Sequence, residues 1–315
     1  MEGILTCWDG KKITLPQVTE WAFQYGRGTP CDSFSLTCLW EPEEDLLAEA
    51  VSFTAVEQGE TVFTGVVDEC ERGWDGKGGF LTVSGRSMAA RLLDNEALGQ
   101  DYQVATLDDI LRDHVAPYGI TVAQRADMAP VSQFSVAVGS SEWSVLYDFV
   151  RYYHSIPPRF DREGRLVLTP WENSTILRLD DATPVKQLVR RDRRYGVLSQ
   201  VVVRDRYQQL TQTVDNGDFQ AMGGSRRQVL TMPGKSQYQA MRYSGQFQLD
   251  QSAVQQLTLE ATIPILFYGK PGDLVQLSRS DWGRSGLYRV EQAQVGVDES
   301  GGWTRLELVP PEVLV

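Results

Sequence analysis

Between residues 33 and 40 the chain reads SFSLTCLW, with Phe34, Leu36, Cys38 and Trp40 alternating with small or polar residues. That period of two marks a strand with one buried face, because successive side chains in a strand point to opposite sides. The pattern recurs. ILTCW and KKITL flank Asp9-Gly10, a dipeptide suited to a two-residue hairpin turn. AVSFTAV and TVFTGVV surround the turn EQGE, and FLTVS follows RGWDGKGG, which reads as a glycine-rich loop. Five or six short strands joined by turns predict a small barrel or sandwich over residues 1–85. EPEEDLLAEA, residues 41–50, reads as one short helix or a charged loop.

From Ser87 the period changes. SMAARLLD reads as a short helix. In TLDDILRDHVAPYGI, Thr106 and Asp109 stand at capping-box spacing, Leu107, Ile110, Leu111 and Val115 share a helix face, and Pro117 with Gly119 closes the helix. In SSEWSVLYDFVRYY, Trp143, Leu146, Tyr147 and Val150 fall at i, i+3, i+4 and i+7, and FDREGRLVLTP reads as a hairpin around Glu163-Gly164. Residues 86–180 are therefore expected to form an α+β insert. Strands return beyond Asp180. The run 197–203 alternates Val197, Ser199, Val201 and Val203 with Leu198, Gln200 and Val202, as a strand covered on both faces does. KPGDLVQL, GLYRVEQAQVGV and WTRLELV suggest a second small barrel over residues 181–315. Residues 215–246, polar and rich in glycine and glutamine, read as a long excursion ordered by a partner. The fold class expected is α+β and mainly β, with two small β-barrel domains bracketing the insert.

A chain of 315 residues has room for two or three such units. No apolar run approaches the roughly 20 residues that span a bilayer, and MEGILTCWDGKK has no basic lead or long apolar stretch, so the expectation is cytosolic synthesis without membrane insertion. Cys7, Cys31, Cys38 and Cys70 form no CxxC pair and have no histidine nearby, which predicts reduced thiols serving as small apolar groups. Charge is uneven. Residues 1–85 hold 5 basic and 15 acidic side chains (net −10), whereas residues 181–315 hold 16 and 14 (net +2). An acidic region of that size repels nucleic acid; it suits either solubility or a surface past which a polyanion slides.

The sequence offers one catalytic motif and several weaker ones. Gly85, Arg86 and Ser87 in GRSMA have the strand–turn–helix order of a nucleophile elbow. An acyl-transfer serine needs a histidine base, and His114 and His154 have no distinctive loop context. The hairpin strands also lack the βαβ units of a hydrolase sheet. The plainer reading makes this a domain junction, with Gly85 allowing the turn and Ser87 capping the following helix. A serine hydrolase acting on cell wall or esters through Ser87 is the alternative. The carboxylate pairs Asp108–Asp109, Glu43–Glu44 and Asp180–Asp181 read as solvated acids. Arg190, Arg191, Arg193 and Arg194 form the one basic cluster, either a charged strand edge or a contact for an acidic neighbouring subunit. Eight tryptophans admit a carbohydrate-binding module using Trp282 or Trp303, although the periodicity assigns Trp8, Trp40 and Trp143 to core. No metal or cofactor motif is evident.

The stretch TVSGRSMAARLLDNEA resembles the signature region of baseplate hub proteins of contractile phage tails and phage-derived injection systems, the late control protein D group. The likeness continues in TLDDILRDHVAPYGITV, in SEWSVLYDFVRYY with the FDREGRLVL hairpin, and in KPGDLVQLSRSDWGRSGLYRVEQAQ. It implies a structural hub with no cofactor. It further implies a homotrimer that adapts a sixfold tail tube to a threefold spike and contacts tube, spike, other baseplate and tape-measure proteins. DNA would pass through the lumen without specific binding, and assembly would occur in the host bacterial cytoplasm. The chain ends at Val315 without an appended spike or lysozyme-like domain, so the resemblance implies that those are separate polypeptides and that this chain is not an enzyme.

Overall fold

The computed structural model describes residues 1–27, 30–40, 49–172, 176–207, 209–254, 256–267, 269–283 and 285–311. The Glu43–Glu44 pair and most of EPEEDLLAEA lie outside the described residues. The first part contains β1 (Glu2–Cys7), β2 (Lys12–Thr14), β3 (Val18–Gly26), β4 (Ser33–Leu39), β5 (Ala50–Glu57), β6 (Glu60–Asp75) and β7 (Gly78–Ser87). The middle part contains α1 (Ala90–Leu93), β8 (Gln100–Ala105), α2 (Leu107–His114), β9 (Val122–Arg125), β10 (Val131–Val136), α3 (Glu142–Tyr147), β11 (Arg159–Phe160) and β12 (Leu166–Leu168). The last part contains β13 (Ile176–Asp180), β14 (Gln187–Asp192), β15 (Gln200–Asp205), β16 (Thr211–Asp215), α4 (Gly217–Ala221), β17 (Arg227–Met232) and α5 (Tyr238–Val254). It closes with β18 (Leu257–Ile263), β19 (Leu274–Ser278), β20 (Ser285–Asp298) and β21 (Gly301–Val309). The protein is mainly β with α+β character.

Alternation in the first seven strands places Phe23, Phe34, Phe53, Phe63 and Leu81 on one side of the sheet. Phe34 stacks on Phe53 at 4.3 Å and Phe23 on Phe63 at 5.3 Å. Each such buried ring is worth roughly 1.5–3 kcal/mol relative to exposure. This core also takes Val295 from the far end of the chain.

One continuous sheet joins the chain's ends. Its ladder runs β2-β1-β5-β6-β7-β4-β3-β20-β21-β18-β14, with β19 paired to β20 and β13 to β19. Among the described residues this pairing path is open and closes no barrel. The reason is the length of β20. Its 14 residues pair with β19 over residues 285–289 and with β3 over 292–297, the two stretches separated by a bulge.

The glycine-rich stretch 72–79 is strand rather than loop. Residues 72–75 and 78–79 belong to the long β6–β7 hairpin, whose turn is only Gly76-Lys77. The ring of Phe80 lies over Gly73, where a Cβ would come within 2.2 Å of it. Trp8, expected in the core, is 73% exposed, because the strand ends at Cys7 and the side chain falls in the turn.

In the middle part the capping box forms as its spacing predicts: Thr106 Oγ1 accepts from the Asp109 N–H, and the Asp109 carboxylate accepts from the Thr106 N–H. Leu107 and Ile110 then pack with Val115, Trp143, Leu146, Phe149 and Val150. Helix α3 runs on into a π-helical turn, Asp148–Tyr152.

The polar stretch 215–246 is built structure. It holds α4, β17 and half of α5. β17 pairs parallel to β15, and α5 lies on that three-stranded sheet through Met241 and Leu249 against Val201, Val203 and Met232. The apolar residues the stretch buries are few, Met232 and Met241 chief among them, so a composition average conceals them. Val202, expected to be covered, is only half-buried because α5 covers one face. Among the described residues no helix is long and apolar enough to cross a membrane.

Gly85 lies inside β7, directly beside the carbonyl of Val66. A Cβ there would sit 2.0 Å from that oxygen and 2.8 Å from Phe34. Gly85→Ala should therefore destabilise the protein by about 2 kcal/mol or more, the cost of an overpacked core, measured by denaturant unfolding. A loss below about 0.5 kcal/mol, the range of ordinary surface substitutions, would contradict the close approach.

Candidate functional site

The GRS segment is where the first sheet hands over to the insert, and there Gly85 and Ser87 act differently from the sequence expectation. Gly85 permits a tight strand crossing and makes no turn. Ser87 is the last residue of β7 and is 5% exposed. The helix-cap role expected of it is corrected: the N-cap of α1 is Ala89, with no side-chain cap bond. The Ser87 hydroxyl instead accepts from the Asp32 N–H at 3.1 Å, while the Ser87 N–H donates to the Asp32 carbonyl at 2.8 Å. The serine falls two residues too early, still in the strand, so its oxygen meets the backbone at Asp32, just before β4.

Arg86 is the fastener. Its guanidinium donates to both oxygens of Asp68 on β6, at 2.7 and 2.9 Å, and to both oxygens of Asp94 after α1, at 2.9 and 2.7 Å. Two bidentate forks on one planar cation fix orientation as well as distance. The same bonds hold the Asp94 carboxyl below the usual carboxylate range.

Beside this junction a cleft of about 780 Å³ opens between the first sheet and the insert. Ser87, Asp32, Tyr25 and Phe63 line one side and Arg159, Phe160 and Arg162 the other. Burial pushes the Asp32 carboxyl up to about 7, against the pull of the Gly26 N–H that donates to it at 3.0 Å.

No acyl-transfer constellation assembles here. His114 Nδ1 lies 2.6 Å from Glu142 and its Nε2 lies 3.0 Å from the Tyr102 hydroxyl. The same Glu142 accepts from Tyr118 at 2.8 Å, and Tyr102 donates to Asp113 at 2.9 Å. His114 and Glu142 are 3% and 5% exposed, so this chain of polar groups ties α2 to α3 inside the insert. Nothing in the sequence marks Glu142, because an acid at the first position of a helix looks solvated. His154 packs on the Phe149 ring, and burial depresses its pKa. The paired carboxylates are structural too. Asp109 belongs to the capping box, Asp108 pairs with Arg125 at 2.5 Å, and Asp180 and Asp181 accept backbone N–H groups. Among the described residues no group of three or more His, Cys, Asp or Glu could hold a metal. All four cysteines are free thiols, and burial pushes Cys31 and Cys38 up to about 11.

An extended polar surface lies on the sheet face opposite the aromatic core. Residues directly opposite each other share a face, and here the pairs are Thr54–Thr64, Ser35–Ser84, Thr37–Thr82 and Gln24–Gln294. The rows continue across the β3–β20 seam into Gln292–Glu307 and Glu260–Glu307. Glu20, Glu69 and Glu71 lie on the same face. Small hydroxyls, amides and scattered acids thus cover a sheet assembled from both ends of the chain.

The arginine cluster is split. Arg190, Arg191 and Asp192 sit on β14, an end strand that pairs only with β18 among the described residues. Arg191 bonds Glu260 at 2.7 Å. Arg190 and Arg194 are exposed and have no carboxylate partner among the described residues. The insert docks on the α5 unit through Arg151, 8% exposed and 3.4 Å from the Phe247 ring, and through the Ser244 hydroxyl on the Tyr152 carbonyl at 3.1 Å.

Comparison with known proteins bears on this arrangement. The family described as baseplate hub protein gp44-like, second domain, matches residues 89–170. Baseplate hub protein gp44 of Escherichia phage Mu is 39% identical over 85 residues, which are 26% of this chain and 22% of the Mu protein. A tail protein from Neisseria meningitidis MC58 superposes with a TM-score of 0.78 at 17% identity, covering 99% of this chain and 97% of that one. The 43 kDa tail protein of prophage MuSo2 from Shewanella oneidensis gives 0.77 at 18% identity, with all of both chains covered.

Two substitutions test the site. Native Asp32 keeps its proton to about pH 7, whereas an unfolded carboxyl releases it near pH 4. The native state then binds more protons, so this group's contribution to stability falls as pH rises from about 4 to 7. Asp32→Asn, whose amide oxygen still accepts from Gly26, should raise the melting temperature more at pH 8 than at pH 4.5; an equal change at both would contradict the burial. Glu142→Ala strips the buried histidine of its partner and should cost about 3 kcal/mol in denaturant unfolding.

Proposed function

We propose that this chain, whose residues 89–170 match the second domain of the gp44-like baseplate hub family, is a structural hub of a phage tail or phage-derived injection particle. The observation that carries this reading is the continuous polar sheet face built from both ends of the chain, in a fold shared along its whole length with phage tail proteins. In this reading residues 1–85 and 181–315 are two tube-like β units and residues 86–180 are the insert between them. Three copies then present six β units, which match a sixfold tail tube on one side and a threefold spike on the other.

The small hydroxyl, amide and carboxylate side chains of that face between β4 and β21 would line the lumen, where like charge on Glu20 limits the sticking of a passing DNA. The hub's neighbours are the tail tube protein, the spike, other baseplate proteins and the tape measure, with assembly in the host cytoplasm. Gly85, Arg86 and Ser87 act as the junction that sets the insert's angle on the first β unit. No enzymatic step is assigned. The Ser87 hydroxyl is engaged by the Asp32 N–H, and both histidines are occupied elsewhere, so the hydrolase alternative has no supporting geometry.

Light scattering on the purified chain, alone and mixed with its tail tube protein, tests the reading. A mass of three times 35.3 kDa is expected in at least one of the two conditions. A monomer in both would overturn it, as would ester or cell-wall hydrolysis that disappears in Ser87→Ala.

A further inference from the structure

At the end of the large sheet an arginine–tyrosine patch stands without carboxylate partners among the described residues. Arg190 lies on the end strand β14, and Arg194 and Tyr195 follow it. Tyr195 is 95% exposed, with the Arg226 guanidinium 6.0 Å from its ring. The turn that carries Tyr195 is tied to Arg226, whose carbonyl accepts from the Ser199 hydroxyl and N–H at 2.8 Å each. An aromatic ring held fully in solvent among arginines has the composition of an interface hot spot.

The complementary surface lies in the same chain but out of its reach. The distal half of β6 exposes Glu69 and Glu71 on the sheet's polar face, neither in an ion pair with a described residue. Seven strand-to-strand steps separate β14 from β6 in the ladder. At about 4.8 Å per step that is roughly 34 Å along the sheet, several Debye lengths at physiological salt. Among the described residues the two patches form no ion pair with each other within one copy. Two different surfaces that fit each other on separate copies make a head-to-tail contact, the kind that closes into a ring.

We propose that the Arg190, Arg194, Tyr195 and Arg226 patch docks on the Glu69–Glu71 stretch of β6 in a second copy of this chain. The inference rests on the trimeric reading above and names the surface that makes it. Asp192 interrupts the arginine run and disfavours a phosphate backbone as occupant, whereas every copy brings one acidic strand for each basic edge. Arg191, held by Glu260, anchors the edge rather than the contact.

A charge swap tests the pairing on the full chain, with assembly followed by light scattering between 50 and 500 mM salt, a range of roughly tenfold in ionic strength. Arg194→Glu with Arg226→Glu should weaken self-association at least about tenfold, as should Glu69→Arg with Glu71→Arg. Both pairs are exposed, so circular dichroism should match the parent. Mixing the two double variants, or combining all four changes, should restore the parent mass. A trimer indifferent to both reversals would overturn the patch and leave the hub reading standing, while a parent chain that stays monomeric both alone and with its tail tube protein would overturn both. Reversals that weaken assembly without rescue by the swap would overturn the choice of β6. Salt-sensitive binding of duplex DNA lost in Arg194→Glu/Arg226→Glu, with the trimer intact, would assign the patch to nucleic acid instead.

Discussion

The pairing of β3 with β20 is the constraint on which the molecule depends. Gln24 faces Gln294 across it, and the strands on either side come from opposite ends of the chain. Without that seam there are two small sheets, each with an exposed edge and an incomplete core. With it, Val295 completes the aromatic cluster of the first sheet, and Arg27 reaches Glu291 at 2.6 Å. Loop closure over some 270 residues costs only slowly more than over a short loop, because the entropy grows with the logarithm of length. The backbone pairing along six positions of β20 is local to the seam, so the long connection can be filled by the insert without weakening it.

The insert is held by directional bonds rather than by a broad apolar face. Arg86 grips one carboxylate in the first sheet and one after the first helix, which fixes the angle between the two parts. Arg151 over Phe247 does the equivalent work toward the α5 unit. Both use guanidinium planarity, which lysine lacks. The Glu142–His114–Tyr102 chain then stiffens the insert itself. Geometry of this kind suits a part whose task is to hold neighbours at set angles.

Much of this is legible in the sequence and some is not, for identifiable reasons. Strict alternation at Phe34, Leu36 and Cys38, and the capping box at Thr106 and Asp109, are local signals, and the structure meets them at those residues. The family resemblance lies in the order of short motifs, and the match over residues 89–170 falls where those motifs are densest. Three misreadings share one cause, which is that local composition is a poor guide to local structure at these positions. RGWDGKGG looks like a loop because glycine is a turn residue, yet Gly73 is there to admit Phe80. Residues 215–246 look unstructured because their polar residues outnumber the few that pack. Ser87 looks like a cap because serine before a helix usually is one, but the strand continues through it. The union of the two sheets cannot be read at all, since nothing in either strand announces a partner some 270 positions away.

That seam also sets an order of events during synthesis. Residues 18–26 leave the ribosome early, but the strand that covers their edge lies at 292–297. At translation rates of about 5–20 residues per second the edge of β3 waits roughly 15–55 s for its partner. For that interval the nascent protein carries an unpaired strand beside a nearly finished aromatic core, a template for pairing with any other chain nearby. The polar outer residues of β3, Glu20 and Gln24, and the acidity of the first 85 residues as a whole, therefore matter before the protein is complete. They help keep half-made copies apart until each can close its own sheet.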